Sequence, residues 1–352
     1  MNDKLKGFKF LIFTCGFTFC LFNFKFATAA EFAPKGPLTV RNQNPIYLEF
    51  LNLEPTRAVA LPVGQIEFRI DSAYSNIFEE ASGGTNNTAF MFDMELLRTA
   101  FHLNAGVYDG MEVGLELAFM RLDNGFLDSF IQKFHNFFHF PNGGRENFPN
   151  DQYHYWFSQN GAVLYQVPKK QPFELGDLTF SFKHNFLGEG DLMPAVAWLF
   201  YFKFPTGSLQ DGTSSGNPDF GLGAAFEKNY GRWHGYLNLA YFTNGGQEPL
   251  QNYIYDQYFT YMIGGEFSVS HPVSLNAQIT GGTPLLHGVG KVQWDSFPMD
   301  LQLGARGEHP LTAFGAPDMK LIWQGGFTED LNPNGPSIDF TIFGSVGVKF
   351  NL

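Results

Sequence analysis

The stretch Met111-Glu112-Val113-Gly114-Leu115-Glu116-Leu117-Ala118-Phe119 puts an apolar side chain at every odd position and Glu, Gly or Ala at every even one. Successive side chains of an extended chain point to opposite faces, so this is a strand with one greasy and one wet surface. The pattern recurs on both sides of it. Ile66, Phe68 and Ile70 alternate with Glu67, Arg69 and Asp71, and Leu178, Phe180 and Phe182 with Thr179, Ser181 and Lys183. Val273, Leu275, Ala277 and Ile279 alternate with Ser274, Asn276, Gln278 and Thr280; Ile338, Phe340 and Ile342 alternate with Asp339 and Thr341. Twelve such segments follow one another, near 62–76, 89–104, 110–122, 175–187, 194–204, 218–229, 232–243, 257–270, 272–283, 297–307, 316–328 and 337–352. In the second, Phe90, Phe92, Met94 and Leu96 share one parity and Leu97, Phe101 and Leu103 the other, which predicts a bulge there.

A soluble sandwich also alternates, but three features favour a transmembrane barrel. Long gaps such as 77–88, 123–174 and 205–217 alternate with short ones such as 105–109, 188–193 and 230–231, as outer loops alternate with periplasmic turns. Aromatic residues on the apolar parity gather near strand ends, among them Tyr74, Trp198, Phe204, Tyr241, Phe259, Tyr261, Trp323 and Phe327. An even strand count returns both termini to one side. The expected fold is all-β: a transmembrane antiparallel β-barrel of 12 strands, with one amphipathic helix in a long extracellular loop.

Composition agrees. Of 352 residues only 16% are charged, well below the roughly 25% of soluble domains. Aromatics make up 17%, with 42 Phe, yet no apolar run after the first thirty positions is long enough for a membrane helix. A net charge of −12 argues against nucleic acid as a partner.

Lys4, Lys6 and Lys9, the apolar run Phe10 to Phe22, and Ala27-Thr28-Ala29-Ala30 form the three parts of a secretory signal peptide, residues 1–29. Cys15 and Cys20 both lie within it, so no disulfide or thiol chemistry is expected of the exported chain. Residues 30–61 precede the first strand and contain Arg41, Asn42, Asn44, Pro45, Ile46, Leu48 and Phe50. A polar, Pro-broken stretch of this kind reads either as a periplasmic tail or as a hatch entering the lumen from below; the hatch is preferred, with Arg41, Asn42 and Asn44 as its polar contacts. Residues 62–352 form the barrel.

At the C-terminus, Ser345-Val346-Gly347-Val348-Lys349-Phe350-Asn351-Leu352 resembles the terminal strand signal of outer-membrane barrels, with Leu in place of the commoner Phe. That resemblance implies the barrel assembly machinery and outer-membrane lipid as partners. Gly176-Asp177-Leu178, Lys203-Phe204-Pro205-Thr206-Gly207 and Asp219-Phe220-Gly221-Leu222-Gly223 resemble outer-membrane channel-like proteins associated with phenol degradation (the MetA pathway). Gly125-Phe126-Leu127-Asp128-Ser129-Phe130, Phe134-His135 and Pro141-Asn142-Gly143-Gly144-Arg145 look like a proteobacterial outer-membrane barrel family catalogued only as a domain of unknown function. The first resemblance implies traffic of small apolar or aromatic compounds; the second implies location and shape.

Within the long loop, 123–174, Leu127, Phe130, Ile131, Phe134, Phe137 and Phe138 recur at helical spacing, with Asp128 in the first turn. The helix is expected either to close the barrel mouth as a lid or to pack over loops. His135 and His139, four apart, lack an acid at metal-site spacing and read as surface histidines, so no metal is expected. No nucleophile elbow occurs, so no catalytic residue, enzyme activity or cofactor is expected. The polar parity of the strands places Glu67, Arg69, Asp71, Glu95, Glu112, Glu116, Lys183, Lys203, Arg306 and Lys320 on the lumen, acids on one wall and lysines on others. Location in the outer membrane follows, and with it three functions in order: a channel or transporter-like protein for a small solute, a non-transporting envelope or surface-interaction barrel, and an outer-membrane hydrolase.

Overall fold

In a computed structural model the described residues are 32–83, 87–138, 144–290, 294–332, 335, 336, 338 and 340–352; the expected signal peptide lies outside them. The strands are β1 (Gln65–Ala81), β2 (Thr88–Tyr108), β3 (Met111–Asp123), β4 (His154–Gln159), β5 (Ala162–Gln166), β6 (Gln171–Leu187) and β7 (Ala195–Phe204). They continue as β8 (Asp219–Tyr230), β9 (Trp233–Asn244), β10 (Gln257–Ser268), β11 (Val273–Gly282), β12 (Met299–Leu311), β13 (Ala316–Asp330) and β14 (Phe340–Asn351). Among the described residues two α-helices, α1 (Pro45–Leu48) and α2 (Asp128–Phe138), stand outside the sheet.

Every pairing is antiparallel. β6 to β14 follow one another, β3 pairs β6, β2 pairs β3, and β1 closes the ring by pairing both β14 and β2. This is a closed barrel of twelve strands. The other two, β4 and β5, form a hairpin that extends the far end of β2 at Thr88–Asp93. At the end where β1 begins and β14 ends the connections are short; at the opposite end, apart from that between β1 and β2, they are longer. Closure gives each of the twelve barrel strands a neighbour on both sides, which a strand in lipid requires.

Phe68, Leu103, Leu115, Trp198, Phe220, Ile263, Leu275, Ile342 and Val346 are all exposed on the outer face. This is the apolar belt that lipid solvates. Among the described residues no helix is long and apolar enough to cross a membrane; the strands do the crossing.

The bulge expected in β2 is not where the two parities meet. Against β1 the register runs unbroken from Ala105 to Phe90, with Glu67 opposite Asn104, Arg69 opposite His102 and Ser75 opposite Leu96. Both parities are apolar because the lumen changes character. Near the end where β1 begins the inner face is polar and lipid takes Leu97, Phe101 and Leu103; farther up, Leu96, Met94, Phe92 and Phe90 point inward and are buried against loops.

This register corrects one lumen assignment. Glu95 stands opposite Asn76 on the outer parity, where Oε1 accepts a hydrogen bond from Phe126 N at 2.7 Å, and the Leu127 amide and Tyr74 hydroxyl also donate to it. It anchors the start of the long loop on the outside of the barrel. Asp128 accepts from Asn76 Nδ2 at 2.8 Å and pairs with Arg145 Nη1 at 2.6 Å, while Arg145 lies over the Phe78 ring. Phe130 meets Phe340, again on the outer parity, with ring centroids 6.4 Å apart. The α2 helix therefore does not close the mouth. It packs against the outer wall of β1, β2 and β14, burying Ile131 and leaving Phe130 and Phe137 exposed. The Phe134, His135 and Phe138 side chains, and His139, lie outside the described residues.

Candidate functional site

Residues 32–61 run inside the barrel, up one wall and down another. The ascent is marked by hydrogen bonds to successive strands. Glu266 of β10 accepts from the amides of Lys35 and Gly36, Gln278 of β11 accepts from Leu38 N at 2.8 Å, and Asn42 Nδ2 reaches Asp300 of β12 at 3.4 Å. Gly304 makes room on this wall, since a Cβ there would lie 2.6 Å from Gly325 O and 3.1 Å from Leu38 Cδ2. Asn44 then caps α1, its Oδ1 accepting from Ile46 N at 3.0 Å, with Pro45 in the first turn where no amide hydrogen is needed. The descent follows β8, β9 and β3: Leu51 N donates to Asp219, Thr56 N to Asn238 Oδ1, Arg57 pairs with Glu227 at 2.7 Å, and Leu61 N donates to Glu112 Oε2 at 2.9 Å. The segment is a hairpin-shaped plug held along both limbs by side chains of the wall.

At its apex the plug is welded into an apolar cluster. Ile46, Tyr47, Leu48, Phe50, Leu51 and Leu53 pack with Phe90, Phe92 and Phe157, with Tyr155 and Tyr165 of the hairpin, and with Tyr253, Leu285 and Trp294 from the long loops. The mouth is thus sealed by β4, β5 and loop aromatics. One carboxylate sits in this seal. Glu49 is fully buried; Tyr155 and Tyr165 donate to its Oε1 at 2.9 and 2.6 Å, and Gln247 Nε2 donates to Oε2. Burial pushes its pKa up to about 8, only partly offset by these hydrogen bonds and by Lys203. Lys203 itself donates to the Glu49 carbonyl at 2.6 Å and pairs with Asp177 at 2.9 Å and Asp219 at 3.1 Å.

At the opposite end the plug does not fill the lumen. A vestibule of about 730 Å³ opens at the end where β1 begins and β14 ends, lined by plug residues 33–62 in part and by wall residues including Glu67, Lys183, Arg306 and Lys349. Its charges are interleaved. Lys183 pairs with Glu112 at 3.1 Å, Lys349 with Glu67 and Glu308 at 3.4 and 3.2 Å, Lys320 with Glu308 at 2.7 Å, and Arg69 with Glu67, Asp71 and Glu54.

Glu67, Arg69, Asp71, Glu112, Glu116, Lys183, Lys203, Arg306 and Lys320 are on the inner parity of their strands. The expected separation of signs is absent: Arg69 stands between Glu67 and Asp71, and Arg98 pairs with Glu116. Local neutralisation avoids the cost of buried like charges. Arg41 does not reach that wall either. Its Nη2 donates to Phe50 O at 2.6 Å, bracing the plug's own turn, while burial lowers its pKa to about 10. Asn44 Nδ2 reaches Glu79 at 3.0 Å. Sequence reasoning missed Glu49, Glu54, His102 and Glu227; the acids of residues 49–54 were visible as charges in an otherwise apolar run.

The fold is shared with an outer-membrane channel of known structure. A COG4313 outer membrane channel from Pseudomonas putida F1 superposes with a TM-score of 0.51 at 17% identity, covering 85% of this chain and all of that one. The NanC porin gives 0.41 at 9% identity over 81% of this chain and all of that one, and a Pseudomonas aeruginosa FadL homologue 0.33 at 10% over 88% and 92%. No curated protein matches the chain by sequence. A family model described as "Protein of unknown function (DUF3187)" matches residues 15–342, and the chain belongs to that family.

Proposed function

We propose that the protein is an outer-membrane channel for a small solute, closed at rest by its own N-terminal segment acting as a hatch. The observation that carries this reading is the plug itself. A twelve-stranded barrel encloses more space than the eight-stranded kind that side chains alone can fill. Here the space is occupied by a separable stretch of chain, tied along its limbs mostly by polar contacts, with a vestibule below and an aromatic seal above. The end where β1 begins and β14 ends faces the periplasm in this reading, so the vestibule is the periplasmic entrance. The solute is small, and the resemblance to phenol-degradation channel-like proteins supports an apolar or aromatic body.

The test is planar-bilayer conductance and solute flux of the parent and of a variant lacking residues 31–58. Deletion is expected to raise conductance and to admit phenol-sized compounds. A folded deletion variant with the parent's conductance and no flux of any solute would defeat the channel reading and leave a non-transporting envelope barrel. Turnover of an ester or lipid would identify a hydrolase.

A further inference from the structure

Where the descending limb of the plug meets β2 and β3, three ligand-bearing side chains converge. Glu54 comes from the plug, His102 from β2 and Glu116 from β3, and one ligand atom of each lies within 4.8 Å of the other two. His102 Nδ1 is 3.6 Å from Glu54 Oε2 and 3.9 Å from Glu116 Oε2. Ligands spaced tetrahedrally about zinc at 2.0–2.2 Å stand roughly 3.4 Å apart, so the two His102 gaps are wide by a few tenths of an ångström, while the two carboxylates, within 4.8 Å of each other, must draw together on an ion. The imidazole is 4% exposed, and its Nε2 has no hydrogen-bond partner. The nitrogen that faces Glu54 and Glu116 is the other one, Nδ1.

The surroundings divide the oxygens between two tasks. Glu54 Oε1 is taken by Arg69 and Glu116 Oε1 by Arg98, so each arginine fixes a carboxylate while its other oxygen, Oε2, turns toward His102 Nδ1. On the far side of the ring, Nε2 lies 3.4 Å from Asp71 Oδ2. A carboxylate behind a metal-bound imidazole is the usual means of fixing its tautomer and raising its basicity. A cavity of about 20 Å³ lies beside the three residues, room for one ion or water, and Glu54 also lines the vestibule and so provides an entry path. An imidazole with two carboxylates suits a borderline divalent ion better than calcium or magnesium.

We propose that Glu54, His102 and Glu116 bind one divalent transition-metal cation, with Asp71 orienting the imidazole, and that the bound ion staples the plug to the barrel wall. Binding requires no particular function of the barrel; the stapling consequence rests on the hatch reading above. Since one ligand is on the plug and two are on the wall, the ion stabilises only the seated arrangement. Plug release and metal release are then linked.

The experiment uses the full exported chain in detergent, stripped with chelator and titrated calorimetrically with Zn²⁺, with Ca²⁺ and Mg²⁺ as controls. One equivalent of Zn²⁺ per chain is expected, with affinity falling at least about tenfold in His102→Ala and in Glu54→Gln. Glu54 lies outside the barrel strands, so its replacement leaves folding of the wall intact, checked by heat-dependent electrophoretic mobility. Absence of stoichiometric binding by the parent, or parent-like binding by both folded variants, overturns the metal site. If Zn²⁺ binds as expected but amide exchange of residues 54–58 is the same with metal and with chelator, the staple is overturned while the site stands. Loss of the metal site leaves the conductance test of the deletion variant unaffected.

Discussion

Glu49 makes seating of the plug dependent on pH, in a direction fixed by its environment. Seated, its carboxyl is buried among Tyr155, Tyr165, Gln247 and the Lys203 cluster, and its pKa is about 8; released into water it would return to the ordinary value of 4.5. Between these values the seated state binds one more proton than the released state. Seating is therefore strongest below about pH 4.5, weakens as pH rises through the window, and levels off above about pH 8, where the carboxylate is ionised in both states. The slope is about 1.4 kcal/mol, or tenfold in the release constant, per pH unit, with a ceiling of about 5 kcal/mol across the window. Tyr155 and Tyr165 stay protonated throughout, because burial raises both. The assay is amide exchange of a peptide covering residues 46–53, corrected for intrinsic rate, at pH 5.5 and 7.5. The parent's release constant should rise by about 100-fold over that interval. Glu49→Gln, neutral at both values, should show no such rise. A flat parent profile, or the same rise in Glu49→Gln, would refute the assignment of the carboxyl as the titrating group.

Other outcomes follow from where the side chains sit. Phe130→Asp should leave conductance at the parent's value, because Phe130 meets Phe340 on the outer wall and not the mouth; bilayer recordings that show an opened pore would return α2 to the role of a lid. Glu95→Gln should speed amide exchange of Phe126 and Leu127 and lower stability by about 1.5–3 kcal/mol, the usual range for hydrogen bonds to a charged group, measured by thermal or chemical denaturation. Glu112→Gln should speed exchange of Leu61 N, whose acceptor it is, while the amide of Leu38 on the other limb stays protected.

The barrel was legible because lipid on one side and water or plug on the other force period-2 alternation. A strand such as Met111–Asp123 can hardly be anything else. The upper part of β2 misled for a physical reason. Alternation reports the contrast between two faces, and where Phe90 and Phe92 turn inward onto Trp294 both faces become apolar, so the pattern no longer says which is which. The Glu95 assignment was wrong and the choice for α2 between lid and packed loop helix was open, and one parity decides both. The helix itself was readable from the spacing of Leu127, Phe130 and Ile131, but a stripe records only that something covers it, and here the outer barrel wall does. The cluster of Glu54, His102 and Glu116 has no local signature, because its members come from three elements that only closure of the barrel brings together.

The plug is held by two kinds of contact of unequal strength, and this decides which part moves. Burying an apolar side chain contributes roughly 1.5–3 kcal/mol. Ile46, Tyr47, Leu48, Phe50, Leu51 and Leu53 are each no more than 5% exposed, so withdrawing the apex from its seal costs on the order of 10 kcal/mol. Thermal fluctuation would then expel the whole plug about once in 10⁷ configurations, which keeps the hatch closed at rest. The descending limb is different: residues 54–61 are tied by single contacts such as Thr56 N to Asn238 and Leu61 N to Glu112, each worth about 1 kcal/mol, and by the Arg57–Glu227 pair. Removing Arg57 strands Glu227, which is fully buried, and breaking such a pair typically costs about 3–5 kcal/mol. Arg57→Ala should therefore make amides of 54–61 exchange faster by two orders of magnitude or more while those of 46–51 keep their protection, and conductance should stay at the parent's value because the seal is intact. Adding Glu227→Gln should restore part of the protection by removing the unpaired charge. Exchange that accelerates equally at 46–51 and 54–61, or a pore opened by Arg57→Ala alone, would show that the plug leaves as one body and that its two limbs do not move independently.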